Sequence, residues 1–392
     1  MMKTQCRSSD RISYLPENII DTILTRMPIR DALRTSVLSK KWRYCWMTMP
    51  KLVFDYKLVR AIYSGGIGQT FDISKFINAV FHVLLIHSGP TILKFDLAVH
   101  KLGILNAFDQ FLLYVSRRTS VKDLIIMTSN TFYKLPTSFF SLQGLESIGL
   151  RHCNFEPPVT FNGFNKLRSV FFENVQISAK EFQHFLLNCP LLEKIALFDY
   201  EEEYVEENSF KFAKLFQCVP LIHTLVSSKY YIKFLAAGGM PNKLPTSLHL
   251  KYVYLDVCLR EQDVISSALC IIRSSPNLEQ LCFLMYDNEK LPVQESSIKF
   301  DDLQDDLSLT LDHLKHFEIV SFSNYVSEME FLKLMLAKSP VLKIARIELK
   351  DKVSIGGELK ILRDMNYLPR ASPSAKLIIE CRKHCSRVLR FW

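Results

Sequence analysis

Apolar residues recur along this chain on two different periods. Between Pro16 and Pro28 they fall at Ile19, Ile20, Ile23, Leu24 and Met27, which is one face of a helix. Pro16 suits the first turn, where its missing N–H costs nothing, and Pro28 stops the ladder. Asp31 is placed to cap a second short helix carrying Ala32 and Leu33. The spacing predicts a third helix through Val37, Leu38, Trp42 and Trp46, with Lys40, Lys41 and Arg43 on its other faces. Three short helices in about 40 residues cannot bury all these large side chains among themselves. Part of that apolar surface is therefore expected to meet a partner.

From Ile92 onward the period shortens to alternation. Runs of the form L-x-x-L-x-L begin at Ile92, Val121, Leu145, Leu167, Leu192, Ile222, Leu250, Leu278, Leu314 and Leu342. Their spacing is mostly near the ~20–29-residue period of leucine-rich repeats, in which each unit buries its apolar face only against its neighbours. Cys189-Pro190, Val219-Pro220, Ser275-Pro276 and Ser339-Pro340 stand just before four of these runs. In each, proline ends a helical stretch and aims the chain into a strand. The pattern predicts an α/β leucine-rich-repeat solenoid, an irregular horseshoe of about ten units. An open dinucleotide-binding sheet wants a G-x-G-x-x-G turn, and the sequence has none. The third position of each run alternates with the buried ones and should face outward. Ser147, Ser169, Lys194, Thr224, Tyr252, Gln280, His316 and Ile344 are thus the candidate target-facing positions, and they are mixed in character.

Composition narrows the class. The chain has 392 residues, 48% apolar and 23% charged, which excludes disorder as its main state. The longest apolar stretch, Phe76 to Ile86, is too short to span a bilayer and holds Asn78 and His82. The start, MMKTQCRSSDR, has no apolar core of a secretion signal. The cysteines then read as reduced thiols of a nuclear or cytoplasmic chain. The net charge is +9, and its location matters more than its size. Residues 1–57 hold eleven Lys/Arg against five Asp/Glu, and the remainder holds 38 against 35. A polyanion-binding body would not be so nearly balanced, so neither nucleic acid nor membrane is an expected partner.

Candidate chemistry is sparse. No hydrolase elbow, zinc-protease, P-loop or kinase pattern occurs, so no enzymatic activity is expected. The cluster Ser64-Gly65-Gly66-Ile67-Gly68 lacks a lysine at phosphate-loop spacing and reads as a connector. Cys381, His384 and Cys385 have no second ligand pair at zinc spacing. Neither metal nor cofactor is expected. Cys153 and Cys258 lie eight residues after Leu145 and Leu250, which marks both as repeat-core positions. Two acidic runs, Asp199 with Glu201 to Glu203 and Glu206-Glu207, and Asp301-Asp302 with Asp305-Asp306, fall between repeats, where insertions form loops.

Two stretches carry a resemblance. Leu15-Pro16, the Ile/Leu helix, Pro28 and Thr35-Ser36-Val37-Leu38-Ser39-Lys40-Lys41-Trp42-Arg43 resemble the F-box of plant F-box/FBD/leucine-rich-repeat proteins. Residues from about Leu311 to Arg382 resemble the FBD region of that family, most recognisably at Arg370-Ala371-Ser372-Pro373. The resemblance implies an F-box at 9–55 and a connector with the first repeat helix at 56–90. Repeats follow at 91–310, an FBD-like region with the last repeats at 311–382, and a basic tail at 383–392. It also implies docking on the Skp adaptor of a cullin–RING ubiquitin ligase. Leu15, Pro16, Ile19, Ile20, Ile23, Leu24, Pro28, Leu33, Val37, Leu38, Trp42 and Trp46 would form that interface or support it. The implied role is a non-catalytic substrate receptor for a protein target. An adaptor-binding scaffold that delivers no substrate is the alternative. The basic excess of residues 1–57 suits steering toward an acidic adaptor.

Overall fold

Each of the ten L-x-x-L-x-L runs becomes a β-strand beginning at its third position, and the first, fourth and sixth positions enter the core of their unit. Leu250, Val253 and Leu255 in one repeat, and Leu314, Phe317 and Ile319 in another, are essentially inaccessible. The computed structural model describes residues 12–54, 73–98, 105–117, 120–129, 131–198, 216–236, 244, 248–286, 309, 311–350, 361–365 and 367–381. Contacts divide the chain into two units, Met1–Arg168 with Phe172–Ile177, and Ser169–Phe171 with Ser178–Trp392.

The first unit opens with α1 (Glu17–Leu24) and α2 (Ile29–Arg34), then tight 3₁₀ turns at Thr35–Val37 and Cys45–Thr48. It continues through β1 (Lys51–Phe54), α3 (Ile73–Ile86), β2 (Lys94–Ala98), α4 (Leu105–Ser116), β3 (Asp123–Met127) and β4 (Tyr133–Lys134). A single helical turn, α5 (Thr137–Phe140), precedes β5 (Ser147–Asn154). Strands β1, β2, β3 and β5 pair in parallel in chain order, with the short β4 on the far part of β5. Phe139, Phe140, Phe155, Phe161 and Phe164 fill the core beside β5, with ring centroids 4.9–6.1 Å apart and mostly edge-to-face. That is the geometry aromatic quadrupoles favour.

The residues of β6 (Ser169–Gln176) are shared between the two units. The second unit then runs α6 (Ala179–Leu187), β7 (Lys194–Phe198), β8 (Thr224–Ser227), α7 (Lys229–Ala236), β9 (Tyr252–Val257) and α8 (Gln262–Arg273). After it come β10 (Gln280–Met285), β11 (His316–Phe322), α9 (Val326–Ala337), β12 (Ile344–Leu349) and β13 (Lys376–Cys381). Strands β7 to β13 pair in parallel and in chain order, which is a solenoid's signature.

Two local devices repeat. Before a strand, the residue preceding proline is small and buried: Cys189, Ser275, Ser339 and Ser372. The hydroxyls of Ser275 and Ser339 donate to the carbonyls of Ile271 and Met335 four residues back, both at 2.6 Å, closing the helix end that proline interrupts. That of Ser372 donates to the carbonyl of Leu342 at 2.7 Å, so the Arg370–Pro373 segment is the corner that leads into β13. At the strand start, the backbone carbonyls of His223, Lys251 and Glu279 each accept two N–H groups from the next repeat, at 2.9–3.1 Å. This fixes register from one unit to the next.

Three expectations are corrected. The third N-terminal helix is absent as a continuous helix, and the two 3₁₀ turns stand in its place. Thr35 and Val37 are β-branched and the Thr35 hydroxyl bonds back to the carbonyl of Ala32 (2.6 Å), while the Ser39 hydroxyl accepts the Trp42 N–H (3.4 Å). Asp31 does not cap α2; Pro28 does, its carbonyl accepting from Asp31 and Ala32 at 3.0 Å, because its extended backbone is pre-set to start a helix. The sheet also has strands at both ends that the run count missed. In β1 the run is Met49-x-x-Leu52-x-Phe54, all buried. In β13 Ser374 stands at the first position, and Leu377 and Ile379 are only half-buried.

Candidate functional site

Two surfaces stand out, one on the N-terminal helices and one on the sheet. The twelve N-terminal candidates separate by burial. Ile20, Leu24, Trp42 and Trp46 are buried and hold the helices together. Leu15, Ile23 and Leu33 are half-buried, whereas Pro16, Ile19, Pro28, Val37 and Leu38 face solvent. Val37 is 87% exposed, extreme for a β-branched apolar residue in an ordered turn. Trp42 acts as the pin: its indole N–H donates to the carbonyl of Ile12 at 3.1 Å, and the ammonium of neighbouring Lys41 bonds the carbonyl of Leu15. These bonds draw the 12–15 segment over the helices.

That segment adds residues the sequence reading missed. Tyr14 is 84% exposed, and Ile12 and Tyr44 also face solvent. Their signal was present, since Tyr14 directly precedes Leu15-Pro16, but no helical period marks them. Arg26, Arg34, Lys40, Lys41 and Arg43 of the same N-terminal segment are exposed as well. The Cys45 thiol is pushed up by burial and then by the carboxylates of Asp21 and Glu17, which places α1 beside the second 3₁₀ turn.

The patch is tied to the first repeats within the same unit. The N–H groups of Ser88 and Gly89 donate to the carbonyl of Met47 at 3.0 and 3.2 Å. The buried His87 ring bonds the carbonyl of Met49 at 3.0 Å through Nε2. Leu93 and Lys94 donate to the carbonyl of Pro50 at 2.7 and 3.1 Å. Gly89 is required by close approach, since a Cβ there would lie 2.9 Å from the Thr48 carbonyl oxygen.

On the sheet, the outward candidates form a row in register. In the first unit Lys51, Lys94, Asp123 and Ser147 are successive partners. In the second unit the row is Lys194, Thr224, Tyr252, Gln280, His316, Ile344 and Lys376. Ser169 opens β6 at the same position of its repeat. All the candidates are exposed or half-buried, and the residue that follows each of them along the strand packs inward. In the next row of the second unit Ala196, Val226, Tyr254 and Cys282 are buried, while Glu318, Arg346 and Ile378 are half-buried, so an apolar floor lies behind the polar row from β7 to β10.

Two carboxyls of the second unit are displaced from their ordinary range. Burial pushes Asp256 up to about 7, although its Oδ2 accepts the Lys229 N–H at 3.4 Å. Burial likewise pushes Glu328 up to about 7, against the N–H groups of Ser323 (2.9 Å) and Tyr325 (3.1 Å) that it accepts. Glu328 lines a cavity of about 20 Å³, room for a water molecule, with Arg260, Tyr286 and Lys350. Cys153 and Cys258 are buried, and burial holds the Cys153 thiol well above its usual value. Among the described residues no three His, Cys, Asp or Glu side chains converge as a metal site. Residues 64–68, both acidic runs and 383–392 lie outside the described residues.

Three family models match the chain: the F-box domain at residues 12–54, the "At1g61320/AtMIF1, LRR domain" at 83–205, and FBD at 310–347. An F-box/FBD/LRR-repeat protein of Arabidopsis thaliana is 30% identical over 419 residues, covering 95% of this chain and 98% of that protein. A putative F-box/FBD/LRR-repeat protein of the same plant is 24% identical over 434 residues, covering 95% and 97%. F-box/LRR-repeat protein 25, also from Arabidopsis thaliana, is 28% identical over 192 residues, covering 49% of this chain and 68% of its own length.

Proposed function

The chain belongs to the F-box/FBD/LRR-repeat family, and from that premise we propose that it is the non-catalytic substrate-recognition subunit of an SCF-type ubiquitin ligase. In this reading the F-box holds the Skp adaptor, and the repeats hold a protein target. The observation that carries it is the exposed patch of Tyr14, Ile19, Val37 and Leu38 built over buried Trp42 and Trp46. Exposed apolar side chains on an ordered scaffold, in a segment that also exposes five Arg and Lys, fit an obligate, acidic partner. Chemistry is left to partners: the receptor raises the local concentration of target lysines near a ubiquitin-charged enzyme. Residence in the nucleus or cytoplasm goes with this role.

The joint at Met47–Pro50 supports the same reading. A receptor must present its target at a set distance from the adaptor, and β1 serves both the F-box region and the repeat sheet of its unit. For that reason a point variant is a better tool than deletion of residues 12–54. Targets trapped on a Val37→Glu, Leu38→Glu chain and identified by mass spectrometry are then offered to a ligase reconstituted with wild-type chain. Ubiquitin transfer to them is the expected result. Adaptor binding without transfer to any trapped protein would instead leave a scaffold.

A further inference from the structure

The charges along the outward row of the second unit are not balanced. At the rim where the strands start, Glu193 faces His223 at 3.5 Å, and Glu279 holds Lys315 at 2.7 Å. The hydrogen bond from the Lys315 ammonium, then its charge, with smaller contributions from Lys251 and His313, holds the Glu279 carboxyl below its usual range. The Glu279 carboxylate is therefore answered by a cation within the chain, and that of Glu193 meets an imidazole ring. Lys194, His316 and Lys376 in the row, and Lys343 one residue before it, are exposed, and among the described residues none of them is bound to a carboxylate. Between them stand Thr224, Tyr252, Gln280 and Ile344, so the row from β7 to β13 contains no acid. Farther along the strands Glu318 is half-buried, Glu348 is buried, and Glu380 lies 3.7 Å from Arg346. Asp312, exposed beside the rim, has His313 as its neighbour.

We propose that this row is a docking track for an acidic, extended segment of a target protein, an inference that rests on the receptor reading and names its substrate class. Lys194 and Lys376 are six strand spacings apart, about 29 Å at ~4.8 Å per strand, which about nine extended residues would span. Carboxylates or phosphates of such a segment meet Lys194, His316 and Lys376 in turn. Tyr252, Gln280 and Thr224 offer hydrogen bonds between the charges. The buried floor of Ala196, Val226, Tyr254 and Cys282 backs the track from β7 to β10. Exposed charges act at long range and are screened by salt, so the track steers and selects more than it clamps.

The test uses the full chain bound to its adaptor and three labelled probes: a ten-residue Glu-rich peptide, a matched Lys-rich peptide and a ten-nucleotide single-stranded DNA. Fluorescence anisotropy should show the Glu-rich peptide binding, and weakening as salt rises from about 50 to about 300 mM. Lys194→Glu with His316→Glu and Lys376→Glu should weaken it roughly tenfold or more, because two attractions become repulsions and a third negative charge joins the row. A Lys194→Gln, Lys376→Gln variant should lose part of that. Thermal melting should stay unchanged in both. No binding of the Glu-rich peptide, equal binding of the Lys-rich one, or indifference to the charge reversals would overturn the proposal. Tighter binding of the DNA would replace it with a nucleic-acid track. Adaptor affinity, measured in parallel, is separate: its absence in the wild type defeats the receptor reading, whereas the peptide results bear on the track alone.

Discussion

The F-box and the outward face of the repeats both present side chains to solvent, yet they are built on opposite plans. The F-box exposes aliphatic and aromatic side chains, Val37 and Tyr14 foremost, over tryptophans that fix their positions. The repeat row exposes Lys194, Gln280, His316 and Lys376, whose positions come from strand register alone. An apolar knob suits one invariant partner, since its binding energy is concentrated in a few buried contacts. A polar row on a rigid ladder can change residue by residue without disturbing the fold. The same chain can thus keep one partner and vary another.

That contrast can be broken from either side. The largest effect is expected at the pin: Trp42→Ala should destabilise the F-box by about 3–5 kcal/mol, read as lost hydrogen-exchange protection in residues 12–54. Unchanged protection would mean the patch is not held by the tryptophans. Next is the joint, where Gly89→Val forces a side chain against the Thr48 carbonyl and should cost about 1–3 kcal/mol in a denaturant titration. A neutral result would show that the Met47–Gly89 contact carries no load.

A pH effect should be confined to the repeat side. Asp256 and Glu328 keep their protons to about pH 7 when folded, while ordinary carboxyls lose theirs near 3.8 and 4.5. The folded state therefore binds more protons across that window, so stability falls as pH rises from about 4 to about 7 and levels off above. Asp256→Asn should flatten part of this slope in melts recorded across the window. A slope of opposite sign would contradict the burial of these groups. The smallest effect is expected in the row itself: Gln280→Ala should leave stability within about 0.5 kcal/mol. A larger loss would make the row structural.

Much of this was legible in the residues. Runs such as Leu250-x-x-Val253-x-Leu255 announce their strand because three buried positions leave one alternative, the solenoid. The outward row was legible for the same reason, since position three of each run must alternate with four. The ends were harder. In β13 Ser374 takes the place of the first apolar residue, and β1 belongs to a stretch whose helical signals dominate it. The helix expected through Trp42 failed because period alone cannot register the Ser39 hydroxyl or the reach of the Trp42 indole to Ile12. Which N-terminal residues face out was likewise invisible to period. Ile19 and Ile20 are neighbours of the same type, and only packing separates the exposed one from the buried one.

Adaptor affinity measured on paired variants tests the central claim most directly. Purified Skp adaptor is titrated by calorimetry into the wild-type chain, a Val37→Glu, Leu38→Glu chain, and a Gln280→Glu, His316→Glu chain. The wild type should bind, the F-box variant should lose about 100-fold or more, and the repeat variant should match the wild type. Equal affinity of the F-box variant, or a loss seen only in the repeat variant, would contradict the assignment of the exposed F-box patch as the adaptor surface.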